Sequence, residues 1–235
     1  MAFRIEKMTM DEVPEVMAIE RDAFVPYNTW PGSAYKRELS ENRNARYVVL
    51  RVDKGQVAPG APPAPEPPAR TQERRSFWSQ IFPLHRSREL TPAPSSQQNL
   101  AGYAGLWLMV DEAHITTIAV RPQYRGRGLG ELLLVALAEV AYDINARWLT
   151  LEVRVSNDVA QTLYRKYGFK PAGVRHRYYS DNQEDALIMW TDEIRSPEWR
   201  ERFEALRADL RRRLIAAGEL DGQRLDSAAP ARLSG

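Results

Sequence analysis

The 235-residue chain contains no cysteine. That excludes a disulfide scaffold, a thiolate nucleophile and any Cys-ligated zinc or iron–sulfur centre. Histidine is nearly as scarce, with only His85, His114 and His176, and none falls in an HExxH spacing. No metal site is therefore expected. Long apolar runs are missing too. The longest, Leu132 to Tyr142, is interrupted by Glu139 and falls well short of the ~20 residues that span a bilayer. The first residues carry acids and no apolar h-region, so no membrane contact and a cytoplasmic location are expected. Charge of one sign is also lacking. The net charge of +2 gives no reason to expect a direct nucleic-acid partner.

Proline, by contrast, is abundant and unevenly placed. Nine of the 16 prolines lie between Pro59 and Pro94. A segment of this composition cannot bury enough apolar surface to offset its ordering entropy, so residues 53–98 read as a largely disordered insertion. Within it, Phe77 to Phe82 form an apolar cluster flanked by Arg74, Arg75, Arg86 and Arg88. That cluster suits either loose packing on the domain or docking as a short linear motif.

The flanking blocks have clear periodicity. Phe3 to Glu6 alternates as a strand, and Thr9 with Glu12 makes a capping box for a helix running to Phe24. A short helix over Ser33 to Leu39 and a strand over Arg46 to Val52 follow. Beyond the insertion come strands over Leu100 to Val110 and Ala113 to Val120, joined by a turn at Asp111-Glu112. A helix over Leu129 to Asn145, a strand over Trp148 to Val155 and a helix over Asp158 to Tyr167 are next. Strands over Phe169 to Tyr178 and Glu184 to Thr191 complete the pattern. The order predicts an α+β domain of residues 1–192 around a mixed, mostly antiparallel sheet. Residues 193–235 form an extension. In it, Ser196-Pro197 opens an amphipathic helix whose stripe of Trp199, Phe203, Leu206, Leu210 and Leu214 must pack either on the domain or on a partner.

The most informative segment runs from Ile118 to Gly130. Its glycines follow a strand and open a helix, a context in which backbone N–H groups converge on an anion. The spacing fits neither the dinucleotide fingerprint nor a P-loop. Arg125-Gly126-Arg127-Gly128-Leu129-Gly130 instead resembles the (Arg/Gln)-x-x-Gly-x-(Gly/Ala) motif of the Gcn5-related N-acetyltransferases, the GNAT superfamily. Leu149 to Asn157, Ala160, Leu163-Tyr164, Tyr167-Gly168-Phe169, Arg175 to Tyr179 and Glu184 to Met189 are similar to its RimI type. The likeness covers roughly residues 2–52 and 99–192. The proline-rich insertion and the C-terminal helix lie outside the common pattern, and Tyr27 to Pro31 only loosely resembles the usual Pro-Trp element.

The resemblance implies a GNAT fold, acetyl-CoA as cosubstrate and a protein N-terminus as acceptor. In the RimI type that acceptor is the N-terminal alanine of a ribosomal protein. Lysine or small-amine acetylation on the same fold is the alternative, and a silent CoA-binding module is a third reading. The resemblance also implies site residues. Ile118, Ala119, Val120, Arg125, Gly126, Arg127, Gly128, Leu129, Gly130, Glu131 and Asn157 would hold the cosubstrate. Glu152 would be the base and Tyr164 the acid that returns a proton to the thiolate. On alternation alone Glu152 is a strand carboxylate facing the same side as Arg154, its ordinary ion-pair partner. If left without a partner in the cleft, it would be raised in pKa by desolvation. His114 and His176 are expected on strands without catalytic duty.

Overall fold

The computed structural model describes residues 2–24, 30–53 and 99–221. The Phe77 to Phe82 cluster and Tyr27 to Thr29 lie outside the described residues. Seven strands form one sheet in the order β1-β2-β3-β4-β5-β7-β6. They are β1 (Ala2–Lys7), β2 (Ala45–Asp53), β3 (Leu100–Met109), β4 (Glu112–Val120), β5 (Trp148–Arg154), β6 (Lys170–Tyr179) and β7 (Glu184–Trp190). All pair antiparallel except β4 with β5. The helices are α1 (Val13–Ala23), α2 (Gly32–Ser40), α3 (Leu129–Asp143), α4 (Asp158–Lys166) and α5 (Pro197–Ala216). The α+β class and element order read from the sequence are those observed.

Three boundaries move for identifiable reasons. Thr9 and Glu12 do close on each other, the Thr9 N–H donating to Glu12 Oε2 at 2.7 Å. They enclose a 3-10 turn, and the α-helix begins at Val13, where Pro14 occupies the first turn. The β3–β4 turn is Val110-Asp111 rather than Asp111-Glu112, because Met109 pairs with Glu112. That two-residue loop needs a left-handed first residue. Val110 supplies it at φ +61°, a strained conformation for a β-branched side chain. Asp53, grouped by composition with the insertion, instead closes β2 opposite Ala2.

Alternation along the strands gives the sheet two apolar faces. Tyr47 and Val49 of β2 join Val13, Val16, Ile19, Tyr35 and Tyr103 under α1 and α2. Val48, Leu50 and Val52 face the other way, into a larger core with Leu133, Leu137, Leu149 and Leu151. Helix α3 is apolar nearly all round because it is covered nearly all round, by the sheet and by α5. Trp199, Phe203, Leu210 and Leu214 of α5 are buried in that same core. The stripe on the C-terminal helix is thus packed on the domain, with Trp199 and Phe203 stacked at 4.8 Å.

Candidate active site

Strands β4 and β5 run together for only four residues, Glu112 to Ile115 against Trp148 to Leu151. Thr116 is then skipped in the β3–β4 register, which passes from Gly105↔Thr117 to Leu106↔Ile115. This bulge re-aims β4. From there Thr117 to Val120 pair only with β3, and Glu152 to Arg154 only with β7. A cleft of about 980 Å³ opens between the diverging strands.

One wall is β4 from Thr116 to Val120 with Arg125, and the opposite wall is Glu152, Val153, Arg154, Asn157 and Tyr164. A third side comes from α1, α2 and the segment before α2, through Glu20, Phe24, Trp30 and Tyr35. A buried carboxylate holds that side in place. Glu20 Oε1 accepts from the Tyr35 and Tyr103 hydroxyls at 2.6 and 2.8 Å, and Oε2 accepts from the Trp30 N–H at 2.8 Å. Tyr178 and Tyr179 complete the rim. Neighbours on a regular strand face opposite ways. Here the register breaks between Arg175 and Tyr179, and Arg177 sits at φ +52° with its N–H on Asp185 Oδ1. Both rings consequently reach the same cleft.

Of the residues predicted from the sequence, Ile118, Ala119, Val120, Arg125, Glu152, Asn157 and Tyr164 are brought together here. Asn157 caps α4, its Oδ1 accepting from Ala160 N–H at 3.1 Å. Arg125 donates to the Val120 and Ala23 carbonyls. The glycine turn lies between β4 and α3, with Gly126 and Gly128 at φ +75° and +79°. A Cβ at Gly126 or Gly130 would meet open space.

Three other predicted side chains, two in that motif and one just after it, are engaged elsewhere. Leu129 is core. Arg127 forks onto Glu219 beyond α5, at 2.8 and 2.5 Å, and lies over the Phe3 ring. Glu131 accepts from Lys166, the Tyr167 hydroxyl and Arg213. Burial pushes the Glu131 carboxyl up, but those three donors outweigh it and hold it below the usual range.

Glu152 is not the lone carboxylate the sequence suggested. Its Oε2 is 3.1 Å from His114 Nε2, and its Oε1 accepts from Arg175 Nε at 2.9 Å. The hydrogen bond to His114 lowers its pKa most; desolvation opposes, and Arg175 adds to the lowering. The net shift is downward, opposite to the expectation for an unpartnered carboxylate, because the contacts with His114 and Arg175 outweigh burial. Arg154 is not its partner either. That guanidinium is bound by Asp181 and Glu184 at 2.9 to 3.0 Å and stacks over Tyr179 at 3.8 Å.

The Tyr164 ring lies 5.7 Å from that of Phe169, and burial pushes its hydroxyl up to about 12. It stays protonated at neutral pH and is a proton donor in kind. His114 lies on a strand, β4, as expected; what the sequence did not show is its contact with Glu152. It pairs in register with Thr150, one step along the same face from Glu152. A parallel β4–β5 pairing, had it been assumed, would have shown this. Among the described residues no group of three or more acids and histidines could hold a metal. No described helix is long and apolar enough to cross a membrane.

Similarity to known proteins follows the same lines. The sequence pattern of the Acetyltransferase (GNAT) family matches residues 56–169. A Bacillus subtilis protein provisionally named a ribosomal protein bS18-alanine N-acetyltransferase is 35% identical over 186 residues, 79% of this chain and 93% of that protein. The Salmonella typhimurium ribosomal protein bS18-alanine N-acetyltransferase is 37% identical over 116 residues, 48% of this chain and 78% of that one. The crystal structure of the Escherichia coli ribosomal-protein-S18-alanine N-acetyltransferase superposes with a TM-score of 0.56 at 24% identity. That superposition covers 80% of this chain and 92% of the other. With the glycine turn in place and a relative 35% identical over most of both chains, the chain belongs to the GNAT family and is an N-acetyltransferase.

Proposed function

We propose that the protein transfers an acetyl group from acetyl-CoA to the α-amino group at a protein N-terminus, with the N-terminal alanine of a ribosomal protein as acceptor. The observation that carries the reading is the meeting of a carboxylate, Glu152, and a protonated phenol, Tyr164, on one cleft beside a glycine turn. The names of the relatives supply the acceptor class. We read residues 1–192, interrupted at 53–98, as the transferase domain, and 193–235 as an extension docked on it through α5.

The residues fit the cosubstrate. Gly126 and Gly128 hold left-handed backbone before α3, and a Cβ at Gly126 or Gly130 would stand in open space, so the turn and the helix N-terminus behind it suit a pyrophosphate. Ile118 to Val120 have no strand partner on the cleft side and would meet the pantetheine amides, with an N–H available to a developing oxyanion. Asn157 would contact the same arm. Acetyl-CoA, when bound, supplies a thioester acyl group.

This chain's own residues then manage protons. An α-amine has a pKa of about 7.7–8.0 against about 10.4 for lysine, so a weak base is enough for an N-terminal acceptor. Glu152 takes the amine proton, directly or through one water, and Tyr164 gives its hydroxyl proton to the leaving sulfur. Attack is direct, without a covalent enzyme intermediate.

The test uses three peptides: one with a free N-terminal Ala, one with a blocked N-terminus and an internal Lys, and one with a free N-terminal Met. Mass spectrometry locates the acetyl group after incubation with acetyl-CoA. Label on the α-amine of the Ala peptide is expected. Label on lysine alone would remove this reading.

A further inference from the structure

Both oxygens of Glu152 are occupied, one by His114 and the other by Arg175. Each oxygen can accept about two hydrogen bonds, so an incoming ammonium group competes with these two partners for the carboxylate's charge and gains most by displacing the looser one. The two are held very differently. His114 stands within the sheet, and its Nδ1 is 2.9 Å from Thr150 Oγ1. Arg175 comes from β6, the edge strand, which pairs with β7 alone. Its side chain is 55% exposed, whereas that of Glu152 is 8% exposed. Its other neighbour is the Tyr178 ring on the cleft rim, 5.9 Å from Cζ.

We propose that Arg175 is a displaceable stand-in for the acceptor's own ammonium group, occupying Glu152 Oε1 until a cationic N-terminus replaces it. This rests on the acceptor reading above. Cation replaces cation, so Glu152 is never left with one neutralising partner fewer. An ammonium N–H bond then breaks as an O–H bond forms at Oε1, which frees the nitrogen lone pair for attack. Arg175 keeps all its protons and moves only between carboxylate and solvent. The amide product is neutral, so Arg175 returns to Oε1 as the product leaves.

The charged and titratable groups facing Glu152 are His114 from β4 and Arg175, Tyr178 and Tyr179 from β6. Both tyrosines are shifted upward, chiefly by desolvation, and do not titrate in the acid range. Loss of Arg175 therefore acts through Glu152. It raises that carboxyl's pKa and moves the acid limb of kcat/KM to higher pH.

The experiment compares wild type, Arg175→Gln and Arg175→Lys, using the free N-terminal Ala peptide and its N-acetylated twin. In Arg175→Gln the KM for the free peptide should fall about two- to fivefold, the range of an exposed ion pair, and the acid limb should rise. Binding of the acetylated peptide, measured by calorimetry with CoA present, should match wild type. Arg175→Lys should restore both wild-type values. A raised KM in Arg175→Gln, or an unchanged KM and acid limb, overturns the proposal while wild-type transfer still supports the acceptor reading. Failure of wild type itself to label any N-terminal amine overturns both.

Discussion

His114 faces Glu152 in a way that fixes where a proton must be. Thr150 donates its hydroxyl proton to Glu112 Oε1 at 2.6 Å, since an ionised carboxylate only accepts. The Thr150 oxygen therefore accepts from His114 Nδ1–H. The other ring nitrogen, 3.1 Å from Glu152 Oε2, meets a carboxylate and needs a proton between them. Glu112, Thr150, His114 and Glu152 thus form one chain that alternates between β4 and β5 and ends on β5.

His114→Ala removes the strongest influence holding the Glu152 carboxyl low. Its pKa then rises, and a base works only when ionised, so the acid limb of kcat/KM should move to higher pH. The KM for the peptide should not fall, which separates this variant from Arg175→Gln. Glu152→Gln should lower kcat by about 10²–10⁴, the usual worth of a general base. CoA affinity, measured by calorimetry, should stay close to wild type in both.

Tyr164→Phe keeps the ring beside Phe169 and removes only the hydroxyl. kcat should fall by about 10² or more, with melting temperature and CoA affinity preserved. Full activity in this variant would end its assignment as the proton donor.

Phe203→Ala tests whether the C-terminal helix is part of the folded core. Phe203 is 2% exposed and touches both Trp199 and Tyr167. Truncating a buried Phe costs about 3–5 kcal/mol, read from urea unfolding. A loss below 1 kcal/mol would mean α5 contributes little.

The glycine turn gives a paired test. Gly128→Ala places a Cβ at φ +79° and 3.2 Å from a Leu214 methyl, so stability should drop by about 1–2 kcal/mol. Gly130→Ala has open space and an ordinary helical φ, so stability should hold or rise slightly. Its KM for acetyl-CoA should stay close to wild type, since the motif that Arg125 to Gly130 resembles takes either Gly or Ala at this position.

The fold was legible because its signals are local. Alternation, the glycine turn, the Asn157 cap and the Ser196-Pro197 helix start each depend on a few consecutive residues. The site was legible only where a motif carried it. His114 and Glu152 are 38 positions apart and meet through a parallel pairing that periodicity does not encode. Arg175 reaches Glu152 from an edge strand whose register breaks two residues later. The downward shift of Glu152 followed from those two contacts, so it was unreadable without them. Arg127 inside the motif and Glu131 just after it look like ligand residues, yet their side chains brace α5 and the segment beyond its C-terminal end. A six-residue pattern cannot distinguish a side chain from the backbone beneath it.

The four-residue partnership of β4 and β5 has an evolutionary corollary. Past Ile115 and Leu151 the two strands expose main-chain edges to the cleft, and no point mutation other than to proline deletes an amide. If the cosubstrate's arm lies there as proposed, side chains along that stretch are free to change acceptor preference while the capacity to grip an extended, amide-bearing arm persists. On that proposal, inheritance of the cosubstrate and divergence of the substrate are separable, one written in the backbone and the other in the residues hung from it.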